Sequence, residues 1–189
     1  MINANQAEAY DVHIVPAVTQ PNATYWRAVQ VRHLRPTENR GRHNVFVDAV
    51  DETGNPARDR RLRIGWTWAG RTESEAAPPQ SLDKPPGEPA GNVPLSTPSQ
   101  VTTVWLADPN RASDAVEGLH TNWPDEPGPG GELWNSVGHH SFYILFQLTP
   151  TGGTAPDPEE PADLETRLAA VEAWKETVTR FLRDLVGEL

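Results

Sequence analysis

The sequence predicts a mainly β protein: an antiparallel β-sandwich, immunoglobulin-like or jelly-roll-like, followed by a C-terminal oligomerising α-helix that forms a coiled coil. Three observations carry this expectation. Short runs between residues 1 and 150 alternate apolar and polar side chains with a period of two. Clusters of Pro and Gly separate those runs and mark turns. Beyond residue 162 the apolar period lengthens to seven, the signature of paired helices. The chain is therefore divided into a β-sandwich domain at 1–150, a linker at 151–162 and a coiled-coil helix at 163–189.

The strands are read in order. Tyr10, Val12 and Ile14 alternate with Asp11 and His13, which predicts a first strand. Residues 25–34 form a second β-rich run, closed by Arg35-Pro36, and residues 45–51 a third. Leu62, Ile64, Trp66 and Trp68 alternate with Arg63, Gly65 and Thr67 and predict the cleanest amphipathic strand. On that reading Ile64, Trp66 and Trp68 face inward as core, and Trp105 joins them from another strand. Residues 101–107 make a fifth strand. Phe142, Ile144, Phe146 and Leu148 alternate along a sixth. The cluster Arg58-Asp59-Arg60-Arg61 reads as a solvated turn.

Two segments interrupt this pattern. The Pro-rich loop 71–100 contains seven prolines (78, 79, 85, 86, 89, 94 and 98), so neither a helix nor a central strand can cross it. It is expected to lie extended over the sandwich with Leu82 and Leu95 as pegs, or to serve as a contact arm for a neighbouring subunit. The second loop, 108–138, holds the residues best suited to chemistry.

Val47-Asp48-Ala49-Val50-Asp51-Glu52-Thr53-Gly54-Asn55-Pro56, with the strand that follows it, resembles the strand–turn–strand of bacterial immunoglobulin-like and prealbumin-like modules. The resemblance covers about 25 residues. It implies a β-sandwich and an adhesive or spacer role, and it carries over no catalytic residue.

Thr151-Gly-Gly-Thr-Ala-Pro-Asp-Pro-Glu-Glu-Pro161 has the composition of a semi-rigid linker. After it, Asp163 can cap a helix whose first turn holds Glu165. Leu164, Val171, Val178 and Leu185 fit heptad position d, and Leu168, Lys175, Leu182 and Leu189 fit position a. Trp174 and Phe181 at position g widen the stripe. These residues predict self-association. Leu at a with Val at two d positions favours more than two strands, so the partner expected first is the chain itself, as a homotrimer.

Charge and composition narrow the other partners. With 16 basic against 26 acidic residues the net charge is −10, which repels phosphate backbones and gives anionic lipid no basic patch. Neither nucleic acid nor membrane is expected as a partner. The absence of Cys removes disulfides, Cys-ligated zinc and thiol catalysis together. The first ten residues have neither the basic region nor the apolar run of a secretion signal. The chain is thus expected in a virion, or outside the cell after lysis, and otherwise in the cytoplasm.

No catalytic signature is present, so the chain is read as non-enzymatic, with no cofactor and no metal. The candidate ligand-binding set lies in the segment 119–140, in and just after the second loop: His120, Trp123, Asp125, Glu126, Trp134 and His139. Aromatic faces there can stack on sugar rings, while carboxylates and imidazoles bind hydroxyls. Imidazoles with carboxylates can also ligate a metal or act as acid and base, which makes a hydrolase the third possibility. The neighbours His139 and His140, if on a strand, point to opposite faces and cannot share an ion. The function expected is a structural or attachment protein of a virion: a phage fibre, spike or capsid-decorating protein, contacting other virion proteins or a surface glycan. The alternative is a carbohydrate-binding module acting at a bacterial cell surface.

Overall fold

The computed structural model describes residues 7–34, 36–39, 42–85, 87–97, 99–121 and 140–152. The chain divides into two units, Met1–Gly153 and Thr154–Leu189, and the described residues all belong to the first. The linker beyond Gly152 and every heptad position from Leu164 to Leu189 lie outside them, as do Trp123, Asp125, Glu126, Trp134 and His139.

The first unit is mainly β. A 3-10 turn at Ala7–Tyr10 leads into β1 (His13–Val15) and β2 (Thr24–Leu34), and one helical turn follows at Pro36–Asn39. Then come β3 (Asn44–Val50), β4 (Arg63–Trp68), β5 (Gln80–Ser81) and β6 (Gly91–Pro94). The last three are β7 (Val101–Ala107), β8 (Ala115–His120) and β9 (Ser141–Pro150). They form two sheets, ordered β1-β8-β7-β4-β5 and β2-β9-β3-β6.

The period of two decides which side chains meet. In the second sheet Val31, Ile144 and Val47 lie in one row across β2, β9 and β3. In the first, Ile64 faces Leu106, and Val104 lies between Trp66 and Val116. Both sets belong to one hydrophobic core, in which Phe142, Ile144, Phe146, Ile64 and Val104 are fully buried. Removing each such side chain from water is worth about 1.5–3 kcal/mol, so this core is the main source of stability. β9 sits between two neighbours and contributes three of those residues.

Several expectations are corrected. Not all pairing is antiparallel: β3 runs parallel to β9, with Val45 opposite Phe142. Some ninety residues separate the two strands, and no hairpin constrains their relative direction. The predicted first strand is shortened because Val12 N–H bonds back to Ala7 O and Asp11 takes a left-handed φ of 57°. The Pro-rich loop is not strandless. It contains β5 and β6, each at a sheet edge, where missing N–H donors are tolerated. Leu82 and Leu95 are buried pegs, as expected. The second loop also contains a strand, β8.

Both flanks of the two-layered unit are fastened. At one, Gly91 lies so close to the other sheet that an added Cβ would be 2.3 Å from Ser81 O. At the other, the segment before β8 pairs with β2: Trp26 N–H donates to Ala112 O at 2.9 Å, and Asp114 N–H to Trp26 O at 2.8 Å. The Asp114 carboxylate accepts from Ala17 N–H (2.8 Å) and Ala28 N–H (3.0 Å). The turn that resembles known modules is held by Asp51, whose Oδ1 accepts from the N–H groups of Thr53 and Asn55, both at 2.9 Å. The Thr53 hydroxyl and these N–H groups hold its carboxyl below the usual range. Gly54 supplies the positive φ of 87° that the turn needs. Arg61 does the same for Asp59, keeping that carboxyl at about 2 on an exposed turn.

Candidate functional site

Trp66 and Trp68 share a face of β4 with Ile64, but the core ends beneath them. Their partners across the ladder are Val104 and Thr102. Thr102 is buried yet polar, and its hydroxyl is bound by Gln100 Nε2 at 2.8 Å. Trp66 is half-buried and packs on the core with one side. Trp68 is half-buried beyond it, its ring 5.3 Å from that of Trp66 and tilted by 33°. Trp105 also departs from the core reading: it lies on the opposite face of its sheet, over Gly65, where a Cβ would come within 2.3 Å of the indole.

The two rings floor a cleft of about 280 Å3, walled by Ala69, Glu75, Ser96, Thr97, Ser99 and Gln100. That is near the lower end of the roughly 300–1,000 Å3 usual for ligand pockets. One wall follows β4 directly. Gly70, with φ of 75°, turns the chain back and brings the Arg71 guanidinium to 5.6 Å from the Trp68 ring centroid. Glu75 then accepts from Thr72 N–H at 2.7 Å and from the Thr72 hydroxyl at 3.0 Å. These bonds, the backbone one foremost, keep its carboxyl below the usual range and therefore ionised.

The other wall is built around Gln100. Its Oε1 accepts from the N–H groups of Ser96 (3.0 Å) and Thr97 (3.1 Å), and its N–H reaches Thr121 Oγ1 at 3.0 Å. Gln100 is thereby spent on holding the loop. The hydroxyls of Ser96, Thr97 and Ser99 make no hydrogen bond to another described residue, so they are available to a ligand. The Trp66 indole N–H is not available, since it donates to Pro78 O at 2.9 Å.

Of the residues singled out in the second loop, His120 is described. It is not on a loop surface but at the end of β8, 1% exposed, with Nδ1 2.5 Å from Thr121 O and Nε2 3.1 Å from Tyr10 O. Two further histidines meet it there, although they are remote in sequence. The ring of His140 lies 5.1 Å from that of His120, and its Nδ1 is 2.6 Å from His33 Nε2. One nitrogen of that pair donates and the other accepts. Tyr10 stacks on His33 with centroids 3.9 Å apart. The convergence of three imidazoles was not visible in the sequence, because the ends of β2, β8 and β9 assemble it. Among the described residues no three His, Asp or Glu side chains are arranged to hold a metal ion.

The sequence reads Trp66 and Trp68 as core and places the aromatic candidates Trp123 and Trp134 in the second loop, outside the described residues; the structure leaves Trp66 and Trp68 half-buried. The available signal was Trp-x-Trp on a strand next to two Pro-punctuated loops. Comparison with protein-family models, curated proteins and solved structures finds no match to this chain.

Proposed function

We propose that this chain is a non-catalytic, oligomeric attachment protein: a virion fibre, spike or capsid-decorating subunit that recognises a repetitive surface through the Trp66–Trp68 cleft. The observation that carries the reading is the pair of adjacent, half-buried indoles flooring a cleft whose wall hydroxyls have no partner in the described chain. Aromatic rings left part-exposed at the end of a core suit binding, because burying them further against a partner releases more water.

In this reading the two layers are a β-sandwich, and residues 163–189 form the coiled coil that joins copies into a trimer. The heptad residues and the Pro-rich linker support the second point. A shallow cleft gives weak affinity per site, and three linked copies raise it by local concentration alone. The protein then acts from a virion, or outside the cell after lysis.

Sedimentation of the full chain with purified bacterial cell envelopes tests the reading. The unaltered protein is expected to co-sediment. Trp68→Ala should reduce bound protein by about tenfold, the scale of losing an aromatic anchor. Its melting temperature should fall by no more than a few degrees, because Trp68 is not among the residues packed on the core. Undiminished co-sedimentation of Trp68→Ala would contradict the reading.

A further inference from the structure

We infer that the ligand of the Trp66–Trp68 cleft is an uncharged saccharide; this rests on the cleft being the attachment site. The chemistry of floor and rim together selects the class. A sugar ring has an apolar C–H face and a rim of hydroxyls that both donate and accept. The cleft matches it with an aromatic floor and with Ser96, Thr97 and Ser99 hydroxyls, which likewise donate or accept.

Charge argues for a neutral ligand. The ionised Glu75 carboxylate in the wall and the neighbouring Arg71 guanidinium offset each other, so the cleft presents no strong net charge to a ligand of either sign. The hydrogen-bond inventory argues against a proline-rich peptide, the other common ligand of aromatic grooves. Such peptides offer carbonyl acceptors, and an indole N–H is the natural donor to them. Here the Trp66 N–H is already taken by Pro78 O. The chain's own proline carbonyl thus occupies one of the two indole donors of the cleft, which lowers its capacity for a foreign proline carbonyl.

The backbone supports the rim. Ser99 is held at φ of 57°, a conformation that presents its hydroxyl from a loop pinned by Gln100. Ser99→Gly removes the hydroxyl and keeps that backbone, because glycine adopts positive φ freely.

The test is titration of the full chain, followed by calorimetry, with uncharged hexasaccharides built on glucose, mannose, galactose and N-acetylglucosamine. A uronic acid hexasaccharide and a decaproline peptide are titrated alongside. At least one uncharged hexasaccharide is expected to bind and to be insensitive to salt. Trp68→Ala should weaken it about tenfold or more, and Ser99→Gly by about threefold to tenfold. The inference is overturned if no uncharged hexasaccharide binds, if decaproline or the uronic acid oligomer binds instead, or if Trp68→Ala leaves sugar binding unchanged. The two readings fail separately. Envelope binding lost in Trp68→Ala with no sugar bound removes the saccharide and keeps the attachment site. Envelope binding and sugar binding both unchanged by Trp68→Ala remove both.

Discussion

Asp114→Ala is expected to lower the stability of the β unit by about 1–3 kcal/mol, the cost of leaving the buried Ala28 N–H unsatisfied, while the second, part-buried donor can turn to water. The two donors are the N–H groups of Ala17 and Ala28, bound at 2.8 and 3.0 Å. The substitution also loosens the flank where the segment before β8 pairs with β2 at Trp26. Urea unfolding at neutral pH measures the loss, and a change under about 0.5 kcal/mol would mean that water replaces the carboxylate. Asp114→Asn should cost less, because its amide oxygen can still accept one of the bonds.

The acid behaviour of this flank has a definite sign. Burial pushes the Asp114 carboxyl up, against the two N–H bonds that favour its charged form. A raised carboxyl binds its proton more tightly folded than unfolded, so its contribution declines as pH rises from the unfolded value through the folded one. Asp108 works in the opposite sense. Burial pushes it up, but bonds from Asn110 N–H, the Trp26 indole and Arg111 outweigh that and hold it low. Its contribution is present above the unfolded value and is lost as pH falls through the folded one. Acid unfolding of Asp114→Asn should therefore keep the Asp108 transition and lose the opposing one.

Removing residues 153–189 is expected to convert a trimer into a folded monomer. Light scattering on the intact chain should give three times the mass of one chain, and the shortened chain a single mass. A cut after Gly152 is preferable to one at Pro150. It keeps Thr151, whose N–H donates to Ala23 O at 2.8 Å and whose hydroxyl accepts from Ala23 N–H at 3.0 Å. The large effect follows from the seam, in which seven of eight a and d positions are apolar and would otherwise face water. Envelope binding should weaken by more than the threefold loss of sites, since avidity is lost with them. A shortened chain that remains trimeric would move the interface to the β unit, with the Pro-rich segment 71–100 as the first suspect.

What the sequence made legible, and what it hid, follows from how locally each feature is written. β9 was readable because every second residue from Phe142 to Leu148 is apolar, and β7 because it is built almost wholly of β-branched, aromatic and aliphatic residues. β8 was not. Gly118, at φ of 81° against Asp11 O, shifts its register so that the adjacent Leu119 and His120 are both buried. β5 and β6 were hidden by proline density, which excludes central strands but not edges. The parallel β3–β9 pair depends on chain paths that no local pattern records. The part-exposure of the Trp66–Trp68 pair was hidden for a related reason. Alternation reports which face of β4 carries Trp66 and Trp68, not how far the opposite layer extends over that face. Both rings are half-buried, and only Trp66 packs on the core.

The proposed recognition at Trp66 and Trp68 is reported directly by the indole N–H resonances. The chain has seven tryptophans, each with one such signal, assignable by single Trp→Phe substitutions. The intact protein should be titrated with soluble fragments of the envelope surface that it sediments with. The Trp68 signal should move most and that of Trp66 next, while Trp26, bonded to Asp108 at 2.9 Å, stays in place. Movement of Trp123 or Trp134 with Trp66 and Trp68 unchanged would place recognition in the second loop and contradict the assignment.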